Sequence, residues 1–338
     1  MKTTLNIAKK HIPALLAAKI VPFMHSSPGI GKSSVGQQIA KAYKLVFIDL
    51  RLSDRDPSDM NGLPQFLDNK AQFVPFSTFP LQGDEVPEGY NGWLIMLDEF
   101  NSASPATQAA AYKLVLDRMV GEYKLHDKVA MIAAGNLEDD NAIVNPMSSA
   151  LISRFAHFYI ELNNDEWLEW AAKNKIDTRI TSFLNFRPKQ LYTFSPDLSA
   201  PYSAPRTWEM LHKVIKNIGT ITREHTVLIA SLVGEGAARD FISYLQHYMD
   251  IPSYAEIVAN PKTAKMDTNL GTQWAVMGMV CGNITEDTID AACTYLQRMP
   301  MEMQVCALRE VKGRNPELLG TPEFRKWRLA LGSEIFVD

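Results

Sequence analysis

Residues 25–34 of the 338-residue chain read HSSPGIGKSS, a combination that can hold a phosphate group. They follow the phosphate-loop pattern G-x-x-x-x-G-K-[ST], except that Ser26 stands where the first glycine is expected. In such a loop backbone N–H groups point at the anion, the lysine adds charge at the β- and γ-phosphates, and the next hydroxyl ligates Mg²⁺. The alternative is a proline–glycine turn that merely precedes a lysine, but the strand and helix patterns on either side favour the loop. The predicted nucleotide-binding residues are Ser27, Pro28, Gly29, Ile30, Gly31, Lys32, Ser33 and Ser34.

Two adjacent carboxylates, Asp98 and Glu99, end the apolar run LIML at residues 94–97. A strand tip can hold the first carboxylate beside Mg²⁺, while the second orients or deprotonates the attacking water. Alone, the pair could equally be a solvated turn after a core strand. Because it follows a phosphate loop in the expected order, we predict that Ser33 and Asp98 ligate Mg²⁺, that Asp98 also contributes to nucleotide binding, and that Glu99 is catalytic.

Three further polar residues lie at positions in the sequence where they could complete a site for ATP hydrolysis. Asn136 ends the next apolar run and could hold the attacking water, although a turn or helix cap is the alternative. Arg154 ends a short helical pattern and could neutralise phosphoryl charge in a neighbouring subunit, unless it only pairs with a helix C-terminus. Arg206 opens a later helix and could reach back across a domain cleft to the nucleotide, or be an ordinary helix-start arginine. We predict catalytic roles for all three.

Hydrophobic patterning predicts the elements that must position these residues. Short apolar runs indicate buried strands, and the stretches between them have helical spacing, including a helix that begins at Ser104-Pro105 and runs to about residue 119. A short hairpin fits between residues 65 and 76, and a short helix near 148–153. Alternation of this kind predicts a mainly parallel sheet. The predicted strands cover residues 21–25, 45–50, 93–97, 129–134 and 157–162.

Beyond residue 163 the pattern becomes mainly helical. A proline-containing connector, residues 186–205, separates the first predicted helix from the others. We therefore predict two domains: an α/β nucleotide-binding domain at residues 1–162, and a helical lid with a C-terminal helical region at residues 163–338. The predicted helices cover residues 165–174, 208–218, 226–246, 270–281, 285–298 and 302–311.

The composition is that of an ordinary globular protein, with 46% hydrophobic and 21% charged residues. The net charge of -4, from 34 basic and 38 acidic residues, lacks the positive excess of sequence-independent DNA binding, so we expect no nucleic-acid partner. Three cysteines without a CxxC pair are typical of reduced cytosolic thiols. No apolar run approaches the ~20 residues of a membrane span, and no signal-peptide pattern is present. We expect a soluble cytoplasmic protein.

In the order of these motifs the chain resembles AAA+ ATPases, and in the residues within and around them it resembles the MoxR branch of that family. The similarity covers roughly residues 15 to 215. In that branch SRF at 153–155 corresponds to the arginine finger and PRTW at 205–208 to the entry of the sensor-2 helix. Other similar segments are DPSDMNGLP at 56–64, LDEFN at 97–101, QAA at 108–110, GEY at 121–123 and AAGN at 133–136.

The resemblance implies a P-loop NTPase core of the AAA+ type followed by an all-helical lid, and hydrolysis of ATP with Mg²⁺. It implies a homo-oligomeric ring, often a hexamer, with ATP between subunits, and a hairpin inserted within residues 56–80. It also implies chaperone-like remodelling of a client protein with a partner that carries a von Willebrand factor A domain. The main alternative is a nucleic-acid-associated AAA+ motor or loader, because the core is shared. A scaffold that binds ATP only to assemble would need neither Glu99 nor Asn136, and a small-molecule kinase would not need Arg154 in trans.

Overall fold

The computed structural model describes residues 1–67, 70–137, 140, 144–195, 200–249 and 251–332. The chain divides into two compact units, Met1–Asn163 and Asn164–Asp338. Among the described residues, none of the helices combines the length and apolar character that a membrane span requires.

The first unit is built on a six-stranded sheet in which every paired strand is parallel. The strands of the unit are β1 Lys2–Thr3, β2 Val21–His25, β3 Leu45–Arg51, β4 Leu63–Leu67, β5 Lys70–Val74, β6 Gly92–Asp98, β7 Met119–Val120, β8 Tyr123–Lys124, β9 Val129–Gly135 and β10 Phe155–Ile160. The large sheet has the order β1-β10-β2-β9-β6-β3, whereas β4-β5 and β7-β8 form two small antiparallel hairpins. The predicted α/β fold with a mainly parallel sheet is confirmed.

The α-helices among the described residues of this unit are α1 Leu5–Ala17, α2 Lys32–Ala42, α3 Pro57–Asn61, α4 Pro105–Asp117 and α5 Ser149–Ile152. Helix α4 begins as the sequence predicts, because the Ser104 hydroxyl accepts a hydrogen bond from the Thr107 N–H at 3.1 Å and Pro105 occupies the first helical position. Helix α1 was not predicted. Its interior proline, Pro13, removes a backbone donor and ordinarily argues against a helix.

The core of the first unit lies against the central strands. Strand β6 is buried at every position, as expected for a parallel strand covered on both faces. Side chains from β6, such as Ile95 and Leu97, pack in one cluster with Phe100 and with Leu114 of α4. This packing holds the end of β6 rigidly, and the two carboxylates follow directly at that end.

The second unit is helical, as predicted. Its helices are α6 Asn164–Lys173, α7 Thr178–Phe186, α8 Pro205–Ile215, α9 Thr226–Val233, α10 Glu235–Leu245, α11 Tyr254–Ala259, α12 Leu270–Asn283, α13 Ile289–Leu296, α14 Met301–Arg314 and α15 Pro322–Ala330. The single helix predicted over residues 226–246 is wrong, because Gly234 breaks it with φ 84°. A Cβ at Gly234 would also come within 2.4 Å of the Pro201 carbonyl oxygen, so the break depends on glycine. Helices α7, α11 and α15 were not predicted.

Candidate functional site

Four neighbouring strands of the large sheet end at one edge and bring together the phosphate loop, the two carboxylates and Asn136. The register pairs His25 with Gly135 and Arg51 with Asp98, so β2, β9, β6 and β3 finish nearly level. The loop after β2 therefore lies beside Asn136, which follows β9, and beside the carboxylates that follow β6. Ligands of open parallel sheets bind at this carboxyl edge.

The loop after β2 has the backbone shape that the phosphate-loop pattern requires. Gly29 and Gly31 have φ of 79° and 113°, in the left-handed region that favours glycine, and Gly31 is the N-cap of α2. The N-terminus of α2 therefore opens into the loop, where its unpaired N–H groups can bind an anion. Ser26 is fully buried and does not adopt a positive φ, so serine fits the first glycine position without backbone strain. Ile30, within the loop, is buried.

Lys32 and Asn136 lie in direct contact. The Lys32 ammonium donates to the Ser26 carbonyl at 2.6 Å and to Oδ1 of Asn136 at 3.2 Å. Asn136 is in turn held by Asn101, whose amide donates to the Asn136 carbonyl at 2.8 Å and accepts from the Asn136 N–H at 3.1 Å. A Cβ at Gly135 would come within 2.2 Å of Oδ1 of Asn101, so glycine is needed for this close approach. We call the pair of bonds between Asn101 and the Asn136 backbone the Asn101 clamp.

The Ser33 hydroxyl and the Asp98 carboxylate are also in contact. The hydroxyl donates to Oδ2 of Asp98 at 2.6 Å, and Oδ1 accepts from the Glu99 N–H at 2.9 Å. Partial burial raises the pKa of the nearby Asp49, and repulsion from Asp98 adds to the shift, whereas Arg51 opposes it. The oxygen atoms of Ser33 and Asp98 fit Mg²⁺, which binds one or two carboxylates and completes its coordination shell with phosphate and water. Within the described ranges, no group of three or more His, Cys, Asp or Glu side chains is placed to hold a metal.

Glu99 is turned toward the end of β3. Its backbone is left-handed, with φ 53°, and its carboxylate accepts a hydrogen bond from the Ser53 hydroxyl. Nε of Arg51 lies 3.8 Å from the other carboxylate oxygen. The sequence analysis did not identify Ser53. These contacts hold Glu99 beside Asp98, and the side chain keeps enough exposure, 39%, to reach a water molecule.

The remaining loop residues have partners of their own. The Ser27 hydroxyl donates to Oδ1 of Asp140 at 3.0 Å, and the Ser34 hydroxyl accepts from the Gln38 amide at 3.1 Å. Pro28 lies between Ser27 and Gly29 at the half-buried tip of the loop. The Ser27 contact places a second acidic side chain beside the phosphate loop.

Arg154 lies at the opposite edge of the sheet. It directly precedes β10, and the register pairs Phe155 with Val21 and Tyr159 with His25. The distance along β2 from its first to its last residue is about 13 Å at the usual strand rise. Arg154 is exposed. The structure therefore does not bring Arg154 to the phosphate loop of its own chain.

Arg206 belongs to the second unit. It follows Pro205 in the first turn of α8 and is exposed. The sequence prediction of a helix start at this point agrees with the structure. Its predicted role at the nucleotide stays a prediction.

Two residues that position the predicted site were missed by the sequence analysis. Asn101 is only 3% exposed, and its signal in the sequence was its place in LDEFN, one of the segments that resemble the MoxR branch. Ser53 had no comparable signal. Both act on backbone or carboxylate atoms far away in the sequence, so spacing alone does not reveal them.

A family model and two solved structures are similar to this chain. Residues 24–155 match the family model of the AAA domain, dynein-related subfamily. Two solved structures are similar over most of the chain, each with a TM-score of 0.35. One is a "putative ATPase" from Cytophaga hutchinsonii, at 13% identity over 96% of this chain and 88% of that one. The other is a single-substitution mutant of RuvB from Thermotoga maritima, at 14% identity over 98% of this chain and 89% of that one. No curated protein matches the sequence.

The family match covers the phosphate loop, both carboxylates, Asn136 and Arg154. The first unit is thus an AAA P-loop NTPase domain that binds nucleotide and hydrolyses ATP.

Proposed function

We propose that this AAA-domain ATPase is a MoxR-like remodeller that works as a homo-oligomeric ring, hexameric as is common among AAA+ proteins. Its client is a protein, and its partner carries a von Willebrand factor A domain. The sequence segments that resemble the MoxR branch support the assignment, and so does the β4–β5 hairpin between α3 and β6, where that branch carries an insertion. The tip of this hairpin, residues 68 and 69, lies outside the described residues.

The position of Arg154 carries the ring proposal. Transfer of a phosphoryl group builds negative charge that an arginine can neutralise, and AAA+ sites need such a cation. Arg154 is exposed, and it lies across the sheet from its own phosphate loop. A ring built by head-to-tail contacts places this edge of one subunit against the site of the next, so the arginine would serve its neighbour.

The other residues then have distinct roles in the same subunit. Ser33 and Asp98 would hold Mg²⁺, which neutralises charge on the β- and γ-phosphates when it is bound. Lys32 binds the same phosphates, and Glu99 takes a proton from the attacking water. Asn136 orients this water.

We propose that Arg206 of the second, helical unit also binds the nucleotide. The nucleotide state would then bias the position of the helical unit, and that motion would act on the client. Arg206→Ala should therefore weaken the coupling of client turnover to ATP more than it weakens ATP binding.

The ring proposal is tested by ATP turnover per subunit over a wide range of protein concentration, with the oligomer mass measured by light scattering. We expect turnover to rise as the protein assembles. Arg154→Ala should bind ATP normally and lose about 10³-fold or more of turnover, since an arginine supplied in trans has this effect in related enzymes. Arg154→Lys is the matched control, because it keeps the charge without the planar fork and should recover only part of the activity.

Flat turnover per subunit, or an Arg154→Ala variant as active as wild type, would contradict the ring mechanism. Glu99→Gln separates the chemistry from assembly: it should bind ATP and assemble but barely hydrolyse. Stimulation of turnover by DNA would instead support the motor or loader alternative, against which the net charge of -4 argues.

A further inference from the structure

Two histidines connect the phosphate loop with the helix that precedes Arg154. His25 is the last residue of β2, and His157 lies on the neighbouring strand β10. Nε2 of His25 and Nδ1 of His157 are 2.8 Å apart, and Nε2 of His157 lies 2.8 Å from the Ile152 carbonyl oxygen. We call this chain of two hydrogen bonds the histidine relay.

Its hydrogen-bond direction follows from the final acceptor. A carbonyl oxygen can only accept, so Nε2 of His157 carries the proton and donates to Ile152. In neutral His157 the other nitrogen, Nδ1, must then accept, so His25 donates from Nε2. Each ring therefore has one defined tautomer: the Ile152 carbonyl sets that of His157, and His157 sets that of His25.

The relay begins at the residue that precedes the phosphate loop and ends on the last residue of α5. At one end His25 is followed directly by Ser26, whose carbonyl oxygen accepts from Lys32. At the other end Ile152 is the last residue of α5, and its carbonyl would otherwise lack a helical partner. Arg154 follows two residues later. The relay thus connects the start of the phosphate loop with the helix that directly precedes the arginine.

Because His25 is buried, the loss of its hydrogen bond to His157 should be costly. His25 is 7% exposed, and its ring stacks on Phe23, on His157 and on Tyr159, with centroid distances of 4.0, 5.1 and 4.8 Å. Burial lowers the pKa of His25 to about 4, helped by His157 and by the charge of Lys32. A phenylalanine would fill the same stack without needing partners, whereas a buried imidazole nitrogen without one is costly.

We propose that His25 and His157 are positioning residues that couple the phosphate loop of one subunit to the Arg154 that the subunit presents to its neighbour. The inference rests on the proposed ring. Movement of the loop around phosphate shifts His25, the shift passes through His157 to the end of α5, and the end of α5 sets where Arg154 points. Neither histidine is among the residues predicted to bind the nucleotide.

The direct test is His157→Phe, which keeps an aromatic ring in the stack and removes both hydrogen bonds. We expect kcat for ATP to fall at least about 10-fold while the KM for ATP changes little, because the arginine rather than the phosphate loop is displaced. A complementation experiment then shows where the defect acts. His157→Phe subunits are mixed in equal amounts with Glu99→Gln subunits, which cannot hydrolyse but present an intact Arg154.

In such mixed rings half of the sites keep Glu99, and half of those receive a correctly presented arginine. Turnover should therefore recover to about a quarter of the wild-type value per subunit. The control is the same mixture with Arg154→Ala in place of His157→Phe. Recovery in both mixtures supports the relay.

Recovery in the control alone would overturn the relay and leave the ring proposal standing, as would a His157→Phe variant with wild-type kcat. Failure of the control itself would remove the trans role of Arg154, and the relay would fall with it. If His157→Phe does not fold, His25→Gln and His25→Leu replace it. Glutamine can still donate from its terminal nitrogen, so it should retain kcat while leucine loses it; equal activity would again overturn the relay.

Discussion

Removal of the Asn101 clamp should damage both stability and turnover. In Asn101→Ala two hydrogen bonds to the Asn136 backbone are lost, at 2.8 and 3.1 Å in the structure. Each contributes about 1 kcal/mol net, and leaving a buried backbone group without its partner costs about 1–3 kcal/mol. Because Asn101 is 3% exposed, water does not readily replace it. We expect the free energy of unfolding to fall by about 2–4 kcal/mol.

The effect on turnover follows from the contact between Asn136 and Lys32. Without the clamp, the Asn136 side chain is no longer held 3.2 Å from the lysine ammonium and moves relative to the bound γ-phosphate. A displacement of about 1 Å in a catalytic site can cost up to 10²-fold in rate, so we expect kcat to fall roughly 10- to 100-fold. Phosphate release measured at saturating ATP gives kcat, and urea unfolding followed by circular dichroism gives the stability.

Gln108→Ala is the matched control for this prediction. Gln108 is also 3% exposed and also donates to two backbone carbonyls, those of Ala103 and Asn145, at 3.2 and 3.3 Å. It makes no contact with Asn136 among these bonds, so its loss should cost similar stability and little turnover. Equal losses of kcat in the two variants would mean that the rate follows stability rather than the clamp. Wild-type kcat in Asn101→Ala would refute the reasoning directly.

Three further predictions concern other parts of the chain. Ser33→Ala should lose the Mg²⁺ dependence of ATP binding while Ser33→Thr keeps it, which titration of a fluorescent ATP analogue with and without Mg²⁺ will show. His25 has a pKa of about 4 when folded and 6.5 when unfolded, so the protein should lose stability as pH falls below 6.5. The free energy of unfolding should be about 2 kcal/mol lower at pH 5 than at pH 7, and His25→Gln should remove that difference. In the second unit Arg314→Met should lower the stability by about 3–5 kcal/mol, because it removes the ion-pair partner of the buried Glu310. Adding Glu310→Leu should restore most of that stability, as measured by thermal unfolding. A double variant no more stable than the single one would contradict this.

Much of the site geometry could be anticipated because its signals are local. A phosphate loop is a run of ten neighbouring residues whose glycines are needed for the left-handed backbone seen at Gly29 and Gly31. The Asp98 and Glu99 pair follows a strand that is buried at every position, and an unbroken apolar run in the sequence predicts such a strand. Since parallel strands end at a common edge, placing these residues together required only the strand assignments.

Several features could not be anticipated because they depend on residues far apart in the chain. The Asn101 clamp joins backbone and side chain across 35 positions, and the histidine relay joins His25 and His157 across 132. The Ser53 hydroxyl reaches the Glu99 carboxylate from 46 positions away. No periodicity or spacing rule connects such pairs.

The sequence by itself determined the AAA-type α/β core and the chemistry at its edge, because short-range patterns of apolar residues, glycines and carboxylates dictate strands, loops and charge. Tertiary structure alone decided how those groups are held: which amide clamps Asn136, which hydroxyl holds Glu99, and why Arg154 lies at the other end of β2 from its own phosphate loop. Strand order and register set these contacts, and they come from the packing of the whole sheet rather than from any one segment.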